Sequence, residues 1–434
     1  GLCMRQLNIG ICGLGTVGSG VLSVLQNNSD IIREKSSCLI HVTHVATRNT
    51  SHGCNVENIQ FSKDIFEVAR DSDIDLVVEL IGGTSSALEL IMLAISNGKH
   101  VVTANKALIS EHGTSILQAA HEANVIVAFE ASVAGGIPIL KTIREGLVAN
   151  KINWLAGIIN GTTNFILSEM SSKGRSFESV LEEAQKRGYA EADPTFDIEG
   201  IDASQKLSIL TSMSFGMPLP LDHLFTEGIT EIPLKDVYFA KELGFTLKHI
   251  GICRDHGEQV EARVHPALIP DSSILSNVNG VSNAVMVNGN AVDTTLYYGP
   301  GAGSTPTASS VIADIVEVAK SDKNTYSSLG FPVEKLCQRK MLDIDSVECG
   351  FYVRFTVVNK TGVLSEITKI MADSALSIES IIQRDVEDDS TRVDIVLLLS
   401  KTTQSNLSPV LRKITELDSV SDEFVMLRVE YLDD

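Results

Sequence analysis

Near its start the chain reads LNIGICGLGTVGSGVLSVLQNN: an apolar strand, a glycine turn and a helix in direct succession. The turn is Gly13-x-Gly15-x-x-Gly18. No other stretch narrows the possible folds as far. Gly13 permits the tight turn, Gly15 lets a pyrophosphate approach the backbone, and Gly18 lets helix and strand pack closely. The pyrophosphate then sits at the helix N-terminus, among free N–H groups. A lone G-x-G-x-x-G is a weak signal, but here it lies between a strand and a helix, the context it requires. A purely structural glycine turn is the alternative.

The strands that follow extend this reading. LIHVTHVATRN (39–49) ends in Ala46-Thr47-Arg48, where a strict NAD site carries a carboxylate for the ribose 2′-hydroxyl. Arg48 suits a 2′-phosphate, so the balance is toward NADP, with NAD still open. The alternative is an arginine merely exposed at a strand end. IDLVVELIGG (74–83) is a third buried strand, and HVVTANKALIS (100–110) is a short strand turning into a helix at Lys106. A lysine there reaches a cofactor or substrate, or is simply a solvated first residue of a helix. NVIVAFEASVAGGIPIL (124–140) reads as another strand, broken by a glycine pair and a proline. Carbonyls freed at such a break suit a hard cation such as Na⁺ or K⁺; a plain turn is the simpler account.

Residues 188–210, GYAEADPTFDIEGIDASQKLSIL, combine dense charge with the start of a helix at Ile201 that should stop at Gly216. Asp202 and Lys206 are spaced i, i+4 and share a face with Ile209 and Met213. Ser204, Gln205, Ser208 and Ser212 fall on the other side, which is expected to be the wet face. An i, i+4 pair is usually a surface ion pair worth under about 1 kcal/mol; its position at the head of an apolar stripe argues otherwise. Asn160-Gly161-Thr162-Thr163-Asn164 is a polar patch that either binds small polar groups or caps a helix.

Beyond residue 245, KHIGICRDHG, VEARVHPALIP, SNAVMVNGN and TTLYYGPGAG predict a mostly antiparallel sheet. GPGAGSTPTASSVIADIVEVA (299–319) is a glycine turn before a long helix able to pack back on the first domain. After a connector, residues 350–434 order themselves βαββαβ, an independent ferredoxin-like module.

Composition excludes several functions. With 35 basic against 55 acidic residues the net charge is −20, which disfavours nucleic acid and anionic membranes as partners. No run of about 18 apolar residues is present. The N-terminus lacks a signal peptide's layout, and its opening Gly points to a cloning remnant. Seven scattered cysteines, Cys3, Cys12, Cys38, Cys54, Cys253, Cys337 and Cys349, fit a reducing cytoplasm without disulfides or a zinc site.

Taken together, GLGTVGSG, TANKALIS, EASVAGGIPI, NGTTNFIL, GYAEADPTFDIEGIDASQKL and GPGAGSTPTA resemble homoserine dehydrogenase along essentially the whole chain. The C-terminal module, with VVNKTGVLSEI as its first loop and helix, resembles an ACT domain. The resemblance implies an α/β fold with three parts. These are a Rossmann-type doubly wound parallel sheet (1–133 plus 304–325), an α+β catalytic and dimerisation domain (134–303) and an ACT regulatory domain (350–434) after a linker (326–349). It implies reversible NAD(P)H-dependent reduction of L-aspartate 4-semialdehyde to L-homoserine. By motif, the resemblance makes Lys206 the acid/base, Asp202 its partner, and Lys106 a lysine beside cofactor and substrate that also takes part in proton transfer. Glu191 matches the carboxylate for the substrate's amino group. Glu130, Val133, Gly135 and Ile137 match a monovalent-cation loop, and Thr16, Val17, Arg48 and Gly303 match cofactor contacts. L-threonine is the expected effector, with Asn359 and Gly362 as its cradle, and a cytoplasmic homodimer or homotetramer is expected. The rivals are a semialdehyde dehydrogenase acting through a cysteine thioester and a non-catalytic amino-acid sensor.

Overall fold

In the computed structural model, which describes residues 4–49, 58–384 and 391–432, the glycine turn leaves the central strand of a parallel sheet. That sheet has the order β3-β2-β1-β4-β5-β6. Its strands are β1 (Arg5–Cys12), β2 (Cys38–Ala46), β3 (Gln60–Ser62), β4 (Leu76–Glu79), β5 (His100–Thr103) and β6 (Val127–Ala128). The chain order reverses between β1 and β4, the position at which doubly wound sheets bind ligands. Ile9, Ile11, Leu76, Val78 and Val102 are fully buried. The late helix Ser304–Lys320 joins their core through Ala308, Val311 and Ile315. Each such large side chain contributes roughly 1.5–3 kcal/mol by burial.

Contacts divide the chain into two compact units. The first is Gly1–Leu155, Asp202–Leu224 and Ser282–Arg339; the second is Ala156–Ile201, Phe225–Val281 and Lys340–Asp434. The first unit also holds the helix Ile201–Phe215 from Asp202 onward and the antiparallel hairpin Ser282–Gly289/Asp293–Pro300. Cys3, Cys54 and the opening residues read as a cloning remnant lie outside the described residues.

In the second unit, Phe245–Asp255 pairs antiparallel with Gln259–Pro270, as the turn signals imply. The C-terminal strands Glu348–Val358, Ile378–Gln383, Arg392–Thr403 and Val420–Val429, with helices Val363–Asp373 and Gln404–Thr415, form the βαββαβ unit. It is not independent, contrary to the sequence reading. Val420–Val429 pairs in parallel with Gln259–Pro270. Tyr352, Val396, Leu398 and Val429 share one core with Phe165, Ile166 and Leu268. Asp236, fully buried, accepts from Arg354 Nε (2.6 Å) and Tyr352 Oη (2.6 Å).

Two further expectations are corrected. In residues 124–140 the strand is present but shorter than expected: Val127–Ala128 alone is strand, and a 3-10 turn, Glu130–Ser132, follows before the glycine pair. Asp314 Oδ2 accepts from Glu130 N at 2.9 Å, and Ala134 and Gly135 take left-handed φ of +56° and +42°, so the chain curls instead of pairing. The helix Ile201–Phe215 has no wet face. Ser204, Gln205, Ser208 and Ser212 are as buried as Ile209 and Met213. Serines are small enough to pack inside; Ser212 Oγ donates to Met217 O at 2.5 Å, while Ser208 Oγ is buried with no hydrogen-bond partner among the described residues.

Candidate active site

The glycine turn has the geometry of a phosphate cradle. Gly13 has φ +102°, and a Cβ there would lie 2.6 Å from Leu80 O. At Gly18 a Cβ would meet Gly13 O at 2.1 Å, so close packing demands glycine at both. A Cβ at Gly15 meets nothing within 4 Å. Its hydrogen there serves no internal packing and leaves open space in front of the backbone. Gly15 is also the N-cap of helix Thr16–Asn27, with no side chain satisfying the first-turn donors. Thr16 is exposed and Val17 half-buried at that helix start. These donors and the helix dipole suit a pyrophosphate. Gly303, at φ +116°, begins the helix Ser304–Lys320, whose Ser304 Oγ donates to Thr16 O at 2.7 Å. The two helix starts that supply the expected cofactor contacts are thus tied together. Arg48 is exposed just beyond the end of β2.

The same unit gathers the charged groups. Lys206 Nζ lies 2.7 Å from Asp202 Oδ2, and Lys106 Nζ lies 2.9 Å from Asp202 Oδ1. One carboxylate thus holds two ammonium groups. Asp202 is 4% exposed and Lys206 9% exposed, so this is no surface ion pair. The side chain of Lys106 is 30% exposed, which leaves it open to a ligand while anchored. Both ends of the constellation follow from helix starts. Asp202 sits in the first turn of Ile201–Phe215, where the dipole favours an anion. Lys106 opens the helix Lys106–Ala123, capped by Asn105, whose Oδ1 accepts from Leu108 N at 3.1 Å. The Lys106–Asp202 contact escaped the sequence reading, because nothing local links residues so far apart in the chain.

The loop 130–137 also lies in the first unit. Glu130 is 4% exposed; Oε1 accepts from Lys141 N at 3.3 Å, and Oε2 is buried with no hydrogen-bond partner among the described residues. Burial pushes its carboxyl up to about 7, against the donors from Lys141 and Leu140 and the charge of Arg144. An orphaned buried carboxylate oxygen fits a single positive charge placed against it. Val133 is buried beside it. Gly135 O accepts from Ser310 Oγ at 2.6 Å and Ile137 O from Ile139 N at 2.8 Å. Each such carbonyl keeps a second lone pair. Among the described residues no group of three His, Cys, Asp or Glu side chains has metal-site geometry.

Glu191 belongs to the second unit and is exposed. There Asn160 acts as a helix cap, its Oδ1 accepting from Thr163 N at 2.9 Å, while its Nδ2 donates to Asp197 Oδ1 at 2.7 Å. Asn164 Nδ2 donates to Val278 O and Gly280 O at 3.0 Å each. The Asn160–Asn164 patch is therefore in large part structural. Asn359 and Gly362 are exposed in the loop before helix Val363–Asp373, where Gly362 takes φ +94° as N-cap.

Most of the described cysteines are buried, which disfavours a thiolate nucleophile. Burial pushes the Cys349 thiol up to about 12 and that of Cys12 higher still. Cys38 is also raised by burial, Cys253 is buried, and only Cys337 among the described cysteines is exposed.

A family model described as "Homoserine dehydrogenase" matches residues 138–316, and one described as "Homoserine dehydrogenase, NAD binding domain" matches 13–130. A homoserine dehydrogenase of Pseudomonas aeruginosa is 49% identical over 433 residues, covering 99% of this chain and 100% of that one. The chain belongs to the homoserine dehydrogenase family. A member from Neisseria gonorrhoeae is 44% identical, with 99% of this chain and 100% of that one aligned. The crystal structure of a homoserine dehydrogenase from Thiobacillus denitrificans superposes with a TM-score of 0.94 at 47% identity, covering 99% of each chain. A hyperthermophilic archaeal homoserine dehydrogenase in complex with NADPH matches 72% of this chain and 98% of its own, with a TM-score of 0.62 at 27% identity. Residues 351–419 match an ACT domain, so the C-terminal module carries the fold expected of a regulatory unit. No helix among the described residues is long and apolar enough to cross a membrane.

Proposed function

We propose that the Lys106–Asp202–Lys206 constellation carries the homoserine dehydrogenase reaction, the reversible NAD(P)H-dependent reduction of L-aspartate 4-semialdehyde to L-homoserine. This step serves threonine, methionine and isoleucine biosynthesis. The observation that carries the reading is one buried carboxylate bridging two lysines in the unit that also holds the Gly13–Gly18 cradle. The nicotinamide, when bound, supplies the hydride. Lys206 donates the proton to the forming alkoxide and stabilises its developing charge; in the oxidative direction it accepts that proton. Asp202 fixes both ammonium groups. Lys106, the more exposed of the two, faces cofactor and substrate. Glu191 binds the substrate ammonium.

Arg48 favours NADP by pairing with the 2′-phosphate, and the archaeal relative bound to NADPH supports that choice. The Gly13–Gly18 turn, with Thr16, Val17 and Gly303, holds the cofactor's phosphates and ribose. Glu130, with the carbonyls of Val133, Gly135 and Ile137, holds Na⁺ or K⁺, which neutralises the buried carboxylate and stiffens the loop. Functionally, 1–133 with 304–325 binds the cofactor, 134–303 provides catalysis and dimerisation, 326–349 links, and 350–434 regulates. The protein works in the cytoplasm as a homodimer or homotetramer. L-threonine binds the ACT domain near Asn359 and Gly362; Asn359→Ala should raise the threonine concentration needed for inhibition without changing uninhibited turnover.

The test is homoserine-dependent reduction of NADP⁺ and, in parallel, NAD⁺, followed by absorbance. Turnover with NADP⁺ preferred supports the reading; no turnover with either cofactor refutes it.

A further inference from the structure

At the carboxyl ends of β4 and β5 lies a fully buried carboxylate that the mechanism does not use. Glu79 and Thr103 are both 0% exposed and face each other across the parallel β4–β5 pair. An isolated carboxylate inside a core is costly, and an apolar residue would continue the run Leu76-Val77-Val78 at lower cost. Glu79 instead anchors a closed ring of hydrogen bonds. Oε2 accepts from Ile81 N at 2.9 Å, in its own loop, and Oε1 accepts from Thr103 Oγ1 at 2.9 Å. Thr103 Oγ1 in turn accepts from Asn105 N at 3.0 Å. Asn105 Nδ2 closes the ring on Gly83 O at 2.6 Å, while its Oδ1 caps the helix at Leu108 N. The next residue is Lys106, whose Nζ reaches Asp202.

The ring therefore joins the two loops at the ligand-binding edge of the sheet and sets where the Lys106 helix begins. We propose that Glu79, acting through Thr103 and Asn105, is a positioning residue for Lys106 in the dehydrogenase reaction, an inference that rests on the role given to Lys106 above. Glu79 touches neither substrate nor cofactor in this account. It orients the helix start from which the Lys106 ammonium extends to Asp202. Burial raises the Glu79 carboxyl, and the donors from Thr103, Ile81 and Asn105 oppose that rise. The ring thus keeps its acceptors engaged on both sides. A lysine displaced by about 1 Å loses on the order of a hundredfold in rate without losing the ligand.

The test compares Glu79→Ala and Thr103→Val with the conservative Glu79→Gln and Thr103→Ser, and runs Lys106→Ala alongside. Glu79→Gln keeps an acceptor for Ile81 N and a polar link to Thr103; Thr103→Ser keeps the bridging hydroxyl. Steady-state kcat, cofactor Kd by fluorescence titration and thermal unfolding are read for each. Glu79→Ala and Thr103→Val should lower kcat about tenfold to a hundredfold, with cofactor Kd changed less than about threefold. The Gln and Ser variants should recover most of the loss. The inference is overturned if Lys106→Ala is impaired while Glu79→Ala and Thr103→Val turn over normally. It is equally overturned if Gln and Ser fail to rescue folded protein, because loss of charge or packing then explains the effect. Full turnover by Lys106→Ala removes the role of Lys106 and the inference with it.

Discussion

Asp202→Asn tests the arrangement of the site at its centre. The substitution keeps size and removes the charge that holds Lys106 at 2.9 Å and Lys206 at 2.7 Å. Two ammonium groups on one carboxylate lie about 7 Å apart; at an effective dielectric of about 20 they repel by roughly 2 kcal/mol. Lys106 is about one-third exposed, so solvent trims this to about 1 kcal/mol. An amide also replaces one acceptor with a donor, which costs about 1.5–3 kcal/mol for a hydrogen bond to a charged group. The sum is about 2.5–4 kcal/mol, or roughly two to three decades in rate at about 1.4 kcal/mol per decade. Steady-state oxidation of homoserine, with circular dichroism to establish folding, should give a kcat reduced about a hundredfold to a thousandfold. A folded Asp202→Asn enzyme within about threefold of wild type refutes the bridging role.

The glycine turn separates binding from stability: Gly15→Ala should leave the melting temperature unchanged and weaken cofactor binding, because its Cβ enters empty space. Gly18→Ala should lower the melting temperature, because its Cβ would lie 2.1 Å from Gly13 O. Although burial opposes it, the hydrogen bond from His256 and the charge of Arg263 bring the Glu261 carboxyl down to about 2. A carboxyl lowered in the folded state stabilises above its unfolded value of about 4.5. About 3 kcal/mol should therefore be lost as pH falls from about 4.5 toward 2, and Glu261→Gln should flatten that limb in unfolding measured across pH. Burial brings Lys248 down to about 8; stability should rise between about pH 8 and 10.5 and Lys248→Met should abolish the rise, whereas an unchanged profile in the variant would show another group titrating.

Much of the fold was legible because its signals are local. A strand, a three-glycine turn and a helix within 22 residues specify the Rossmann start, and turn residues delimit the antiparallel strands. Asp202 and Lys206 were legible as a pair because helical period puts i and i+4 together. Lys106 was recognisable as a candidate, but its bond to Asp202 depends on how the unit folds back on itself. The helix Ile201–Phe215 defeated the pattern reading for a different reason. Serines look like a solvent face because they are mostly exposed in folded proteins, yet here Ser208 and Ser212 are fully buried. Residues 124–140 look extended by composition, but one buried acceptor, Asp314 Oδ2, and two left-handed residues curl them into the loop that carries Glu130. The βαββαβ order of residues 350–434 was plain in the sequence. Its shared core was not, because apolar alternation does not say which neighbour a strand meets.

In the proposed reaction Lys206 moves the proton while the cradle binds the cofactor. Its most direct test is Lys206→Ala, measured for homoserine oxidation under saturating NADP⁺ together with cofactor Kd. Loss of nearly all turnover with cofactor affinity retained is expected. Wild-type turnover in the variant would contradict it.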